Sequence, residues 1–436
     1  MMIVDTPFDY MNIISKIPDK PELKNTIEPL RSFLIQVYPI LEDSHNLDHG
    51  LLLGILGDWG TGKTSLLKAL QGFFEDYMGY PTVFFDAWKY QEDPHPLIPL
   101  ISKIKEKARG RTKGNLSKAL KTVAQIGFPI IDFGLKVITT RTIGTSYGLK
   151  DIKKIMEEAG DYFIEYSSVY EKSHSSLKKA VLEFIEGYRV EKNENEKQLW
   201  KNFIGDVIAT SSNTNEKYLV ILVDDLDRLL PKKALRIFEL LRFYLLDIPR
   251  TIVIMAINDR ILIPAIEKQF ELHTSETDPG DLPGGRDFME KVFHWTFEIP
   301  FVPWGLFGDY LRETVFGELG ACRFWDQMRE MFAELDPLSF RKWVRIKNRI
   351  LAEKNSGRIK GFGDIWICAL KECFPSTEWY LRDFPAFEEK LRTAESLEKV
   401  EEIYKDKLNE LGKKAKEDTS VFKRSAENWD IFLSHR

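Results

Sequence analysis

Eight residues, Gly57 to Thr64, constrain this chain more than any others. They read GDWGTGKT and lie between the apolar run Leu51 to Leu56 and SLLKALQGFFEDYM, whose Leu66, Leu67, Leu70 and Phe73 recur at helical spacing. A continuous apolar run of that length reads as a strand covered on both faces. The order is therefore strand, glycine loop, helix, which is the context in which G-x-x-x-x-G-K-[ST] forms a phosphate-binding loop. Glycines let successive backbone N–H groups turn inward around anionic oxygens, and the helix N-terminus adds partial positive charge. Gly57, Asp58, Trp59, Gly60, Thr61, Gly62, Lys63, Thr64 and Ser65 are the expected nucleotide contacts. Lys63 is expected to reach the β- and γ-phosphates and the Thr64 hydroxyl to ligate magnesium.

Further apolar runs follow at Pro81 to Trp88, Tyr218 to Asp224 and Thr251 to Ile257, with a fifth candidate strand at Phe297 to Pro300. Strands alternating with helical stretches predict an α/β fold, a mostly parallel sheet flanked by helices. An amphipathic helix over Ile27 to Val37 precedes it. Between the second and third strands lie about 130 residues, far beyond the 2 to 6 usual for such connections. They predict a large helical insertion. Within it, Arg109 to Lys121 and Val190 to Glu196 read as solvated loops or faces, as does the acidic, glycine-rich Thr274 to Arg286 further on. Beyond Trp304 only amphipathic stretches remain. The expected organisation is 1–100 and 216–303 for the two parts of the core, 101–215 for the insertion and 304–436 for a helical C-terminal domain.

The third strand ends VILVDD. A buried apolar strand ending in acid delivers charge to the carboxyl edge of the sheet, where Asp224 is the expected partner of the metal. Asp225 stands where a carboxylate would orient the attacking water, although an acid at a strand end can equally cap a loop. Asp227 and Arg228 extend the cluster as DDLDR. Asn258 closes TIVIMAIN, where it would hold water or the γ-phosphate, or simply end the strand. Hydrolysis also calls for a positive charge beyond the lysine. An arginine of this chain or of a neighbour would supply it, and Arg228, Arg260, Arg286, Arg341 and Arg345 are the candidates here. Trp88, in FFDAWKYQ, reads as a core tryptophan with Asp86 capping its turn, and His45, His49 and His95 have no ligand spacing.

Composition narrows the rest. The chain of 436 residues is 43% hydrophobic and 30% charged, enough for one large core or two moderate ones. A net charge of -5 makes the whole molecule no magnet for nucleic acid, although Lys118, Lys121, Lys136, Arg141 and the run Arg341 to Arg349 could form a local track. Cys322, Cys368 and Cys373 lack the doublet spacing of a zinc site and fit idle thiols in a reducing cytosol. Asp5 and Asp9 stand where a secretory signal would be basic, so a cytoplasmic protein is expected. Ala124 to Ile138 is interrupted by Asp132 and Lys136 and is too short to span a bilayer.

Four motifs in this order, ILGDWGTGKTSLL, FFDAWKYQ, ILVDDLDRL and FMEKVFHWTFEIP, resemble those of the KAP family of P-loop NTPases over roughly Ile27 to Pro303. The resemblance places Trp59 inside the phosphate loop, matches Phe85 to Tyr90 to the aromatic second strand and Asp224 to Arg228 to the acidic element. It implies an additional strand between the two phosphate-site strands. Many members carry membrane helices in the insertion; here that segment is too polar, as in soluble bacterial-type members associated with defence against phages and plasmids. Asp336 to Arg349, DPLSFRKWVRIKNR, departs from the Asn-Pro-Arg element often found there, and the resemblance points to Arg341 or Arg345 as nucleotide sensors.

Three functions fit: a magnesium- and ATP-driven switch that self-associates or engages a protein partner, an ATP-dependent motor or clamp on nucleic acid, or a scaffold that binds nucleotide without turning it over. Intact Lys63, Thr64, Asp224 and Asp225 favour turnover.

Overall fold

A computed structural model describes residues 9–18, 27–43, 48–93, 97–122, 171–189, 194–205, 216–269, 289–300, 340–373 and 385–407, a few single positions aside. The described residues fall into two compact units, one drawn from Asp9–Ser15 and Pro29–Pro300, the other including all those beyond position 300.

The larger unit is built on five parallel strands, β1 (Leu51–Leu56), β2 (Thr82–Asp86), β3 (Leu219–Asp224), β4 (Thr251–Ile257) and β5 (Trp295–Glu298), in the order β2-β3-β4-β1-β5. All residues of β3 and β4 are buried, as continuous apolar strands must be when helices cover both faces. The edge strand β5 alternates, with only Phe297 of its four residues buried. It starts two residues earlier than the apolar run suggests, because Trp295 and Phe297 stack on each other and meet Phe33 edge-on. β4 separates β1 from β3, the additional strand that the resemblance implies.

Helices fill both faces. The helix Glu28–Asp43 extends beyond the expected Ile27 to Val37, and the helix after the glycine loop, Lys63–Gly72, widens into a π turn over Phe73–Tyr77. There Phe73 meets Trp200 edge-on, with ring centroids 5.6 Å apart. The described insertion helices Leu97–Lys107, Gly110–Thr122 and 174–187 share one apolar core with β2 and β3, through Leu100, Ile104, Leu116, Val181 and Phe184 against Val83 and Phe85. Gly110–Thr122 is thus no loop. Leu116 and Ala119 anchor it while Lys113, Lys118 and Lys121 face out. Residues 123–170, including Ala124 to Ile138, lie outside the described residues, as does Thr274 to Arg286. No described helix is long and apolar enough to cross a membrane.

The smaller unit contains the helices Phe340–Asn355, Phe362–Cys373 and Pro385–Arg392. Asp364 organises it, accepting from the backbone of Lys360 and Gly361 at 2.8 and 3.1 Å and from Arg392 at 2.7 Å. Cys368 is buried without a disulfide, and burial pushes its thiol up to about 12, against the thiolate form.

Within the π turn, burial first and then the carboxylate of Glu196 raise Asp76 to about 6. Such an acid binds its proton more tightly folded than unfolded, so stability falls as pH rises from its ordinary value towards 6 and stays lowered above that. Asp76→Asn is expected to raise the melting temperature at pH 7.5, by a margin that shrinks as pH is lowered from 6 towards 4; calorimetry across that range checks it.

Candidate functional site

Because β4 lies between β1 and β3, the ends of all three meet at one edge of the sheet. Leu56 is in register with Ile257, and Gly57 N–H donates to the Ile257 carbonyl at 3.2 Å, tying the start of the loop to the end of β4. Two glycines are required by geometry. A Cβ at Gly57 would sit 2.6 Å from Thr61 Oγ1, and Gly62, with φ of 97°, holds the left-handed turn that starts the helix at Lys63. Thr61 steadies the loop by donating to the Asp58 carbonyl at 2.9 Å.

Lys63 reaches back over this loop, donating from Nζ to the carbonyls of Gly57 at 2.6 Å and Asp58 at 3.0 Å. Its ion pair is Asp227, Oδ2 at 3.7 Å. Burial lowers the ammonium below its ordinary value, and Asp227, Asp224 and Asp58 oppose that. Asp227 also accepts from the indole N–H of Trp59 at 3.1 Å, so the lysine of the motif and an otherwise exposed tryptophan share one carboxylate. DDLDR placed Asp227 in the cluster, but only the short helical turn Leu226–Arg228 makes it face the loop.

Asp224 ends β3 with 4% exposure. Its carboxyl accepts from the Thr64 hydroxyl and, at 2.9 Å, from the Asp225 N–H. Burial raises it, outweighing those hydrogen bonds, and Asp86, its register partner on β2, adds like charge. Thr64 and Asp224, 160 positions apart, therefore converge. A hydroxyl and a buried carboxylate side by side are hard oxygen ligands suited to Mg²⁺. Asn258, also 4% exposed, has its Oδ1 buried without a hydrogen-bond partner among the described residues. A buried acceptor left in that condition costs stability unless something donates to it, which suits a group that serves a bound molecule or water.

Asp225 takes a left-handed backbone, φ 56° and ψ 28°, and pairs through Oδ1 with Arg228 Nε at 2.8 Å. Burial and neighbouring Asp224 raise it to about 6. Trp88 departs from the core expectation. It is 45% exposed and receives the Arg228 guanidinium over its ring at 5.5 Å, although Asp86 does cap the turn by accepting from Lys89 N–H at 3.4 Å. Arg260 is exposed and paired with Asp58 at 2.8 Å. Arg345 is an exposed residue of the smaller unit 3.9 Å from Glu372; Arg286 and the Arg341 side chain lie outside the described residues. His49 stacks on His294, with centroids 5.5 Å apart, while His45 and His95 fall outside the description. Among the described residues no group of three or more His, Cys, Asp or Glu side chains could hold a metal by itself.

A glycine loop between parallel strand and helix, with a lysine in it and an acid at the end of a strand one removed, defines a P-loop nucleoside triphosphatase. Residues 31–302, more than half of the chain, match the family described as the KAP family P-loop domain. The chain belongs to that family, whose domain binds and hydrolyses nucleotide. A search of curated proteins gives no match.

Gly62→Ala meets open space but a backbone that alanine adopts only at a cost of about 1–2 kcal/mol. We expect it to lower both the melting temperature and nucleotide affinity, read by thermal unfolding with and without a nucleotide analogue. An unchanged affinity would show that the loop's turn is not what receives the phosphates.

Proposed function

We propose that this protein binds and hydrolyses ATP with Mg²⁺ and uses the cycle as a conformational switch within a larger assembly. The observation that carries the reading is the contact between the Thr64 hydroxyl and the Asp224 carboxyl beneath the loop. A carboxylate so buried favours a cation beside it, and these two residues would hold Mg²⁺, Asp224 directly or through water. The metal supplies charge neutralisation at the phosphates. Lys63 would exchange its loop carbonyls and Asp227 for phosphate oxygens, with the backbone N–H groups of Gly60 to Ser65 as the cradle. Asp225 orients the attacking water, and Asn258 supports that water or the terminal phosphate.

The charge beyond Lys63 is the open requirement. Arg228 and Arg260 are both engaged by acids of this chain, which favours supply from a second copy or a protein partner, an effect worth about 10³ to 10⁵ in rate when it acts in trans. ATP would then promote association, since a ligand that bridges two chains binds the assembled state more tightly. Defence against phages or plasmids is the setting that the likeness to soluble bacterial-type members suggests. Nucleic acid remains a lesser candidate at a net charge of -5.

Lys63→Ala is expected to abolish ATP binding and turnover with the fold retained, by calorimetric titration and phosphate release. Asp224→Asn should weaken the Mg²⁺-dependent part of binding, whereas Asp225→Asn should bind Mg²⁺ and ATP normally and hydrolyse slowly. Identical behaviour of those two variants would refute the division of roles. Light scattering with a non-hydrolysable analogue, and turnover per chain against concentration, test association; a particle that stays monomeric with concentration-independent turnover requires an arginine acting in cis.

A further inference from the structure

Trp88 stands out at the carboxyl edge, a large aromatic 45% exposed where β2 leaves the sheet. It contributes to no core, and the charged group that it does touch is the Arg228 guanidinium, 5.5 Å from its ring centroid. Arg228 Nε is in turn 2.8 Å from Asp225 Oδ1. One guanidinium thus links the end of β2 to the end of β3. This link exists only because Asp225 adopts φ of 56°, a value that non-glycine residues seldom take. From there the chain enters the turn Leu226–Arg228, which returns Arg228 to the carboxylate three residues behind it. Backbone strain of that kind persists where its surroundings over-determine it, and it gathers at working sites.

We propose that Arg228, seated on Trp88, is a positioning residue for hydrolysis: it grips one oxygen of Asp225 and thereby aims the other at the attacking water. The inference rests on the reading of Asp225 as the water-orienting carboxylate, and it removes Arg228 from the candidates for the transition-state arginine. Three features support it. Arg228 and Asp225 are 38% and 19% exposed at their side chains, and ion pairs that open to solvent contribute little to stability. Their value must then be sought in orientation. The closest approach in the pair, Arg228 Nε to Asp225 Oδ1 at 2.8 Å, is to a single carboxylate oxygen. A planar guanidinium can stack on an indole face while its edge holds a carboxylate, which an ammonium cannot do. Lys89, a cation that also feels Asp225, has its ion pair with Asp86 at 3.1 Å.

The test uses the full chain with Mg²⁺ and ATP. Arg228→Ala and Trp88→Ala should lower kcat about ten- to a hundredfold, as expected when a reacting group loses its placement, with affinity for a fluorescent ATP analogue unchanged. Trp88→Phe should recover most of the loss of Trp88→Ala, because it restores a ring face; Arg228→Lys should not recover that of Arg228→Ala. Adding Arg228→Ala to Asp225→Asn should slow turnover no further. A wild-type kcat in Arg228→Ala together with a slow Asp225→Asn overturns this inference and leaves the role of Asp225 standing. Weakened nucleotide affinity with unchanged kcat makes Arg228 a phosphate contact and also overturns it. Wild-type turnover in Asp225→Asn removes the reading of Asp225 and the inference together.

Discussion

A carboxylate placed at the end of a wholly apolar strand is the constraint on which the rest of this molecule depends. Every other residue of β3 is buried and none is polar, so Asp224 is carried into a region where an isolated negative charge is costly. The Thr64 hydroxyl and the Asp225 N–H offset part of that cost. What they leave is a local demand for positive charge, met in part by the buried Lys63. The same demand that penalises the strand in isolation favours a divalent cation there. Stability is thereby exchanged for a site, and the strand can tolerate it because β4 and β2 pair its backbone on either side while helices cover its apolar faces.

Much of this was legible in the sequence because two periodicities and one motif are local properties. The strands β1 and β4 coincide with their apolar runs, and β2 and β3 differ from theirs only at the ends. The glycine loop needs φ values that only its own glycines supply easily. What the sequence concealed is long-range and polar. Asp227 sits 168 positions from Trp59, and no spacing rule connects them. Trp88 was misleading for a related reason: an aromatic beside an apolar strand is usually core, and its exposure becomes intelligible only with Arg228 over its ring. The insertion helix Gly110–Thr122 hid behind its lysines, since two well-placed apolar residues, Leu116 and Ala119, suffice to seat it.

The two exposed tryptophans of the edge give this arrangement a consequence. Trp59 is 58% exposed but its indole N–H is held by the carboxylate that also pairs with Lys63, and Trp88 carries the arginine that pairs with Asp225. Each surface ring is thus one side chain removed from a residue of the glycine loop or of the acidic end of β3. If Lys63 leaves Asp227 for a phosphate, Asp227 keeps the indole N–H as its partner and loses a cation, so the balance at Trp59 must change. The exposed rings are thereby tied to the loop and to the acidic strand end through single contacts, without a movement of the sheet, which its buried central strands oppose.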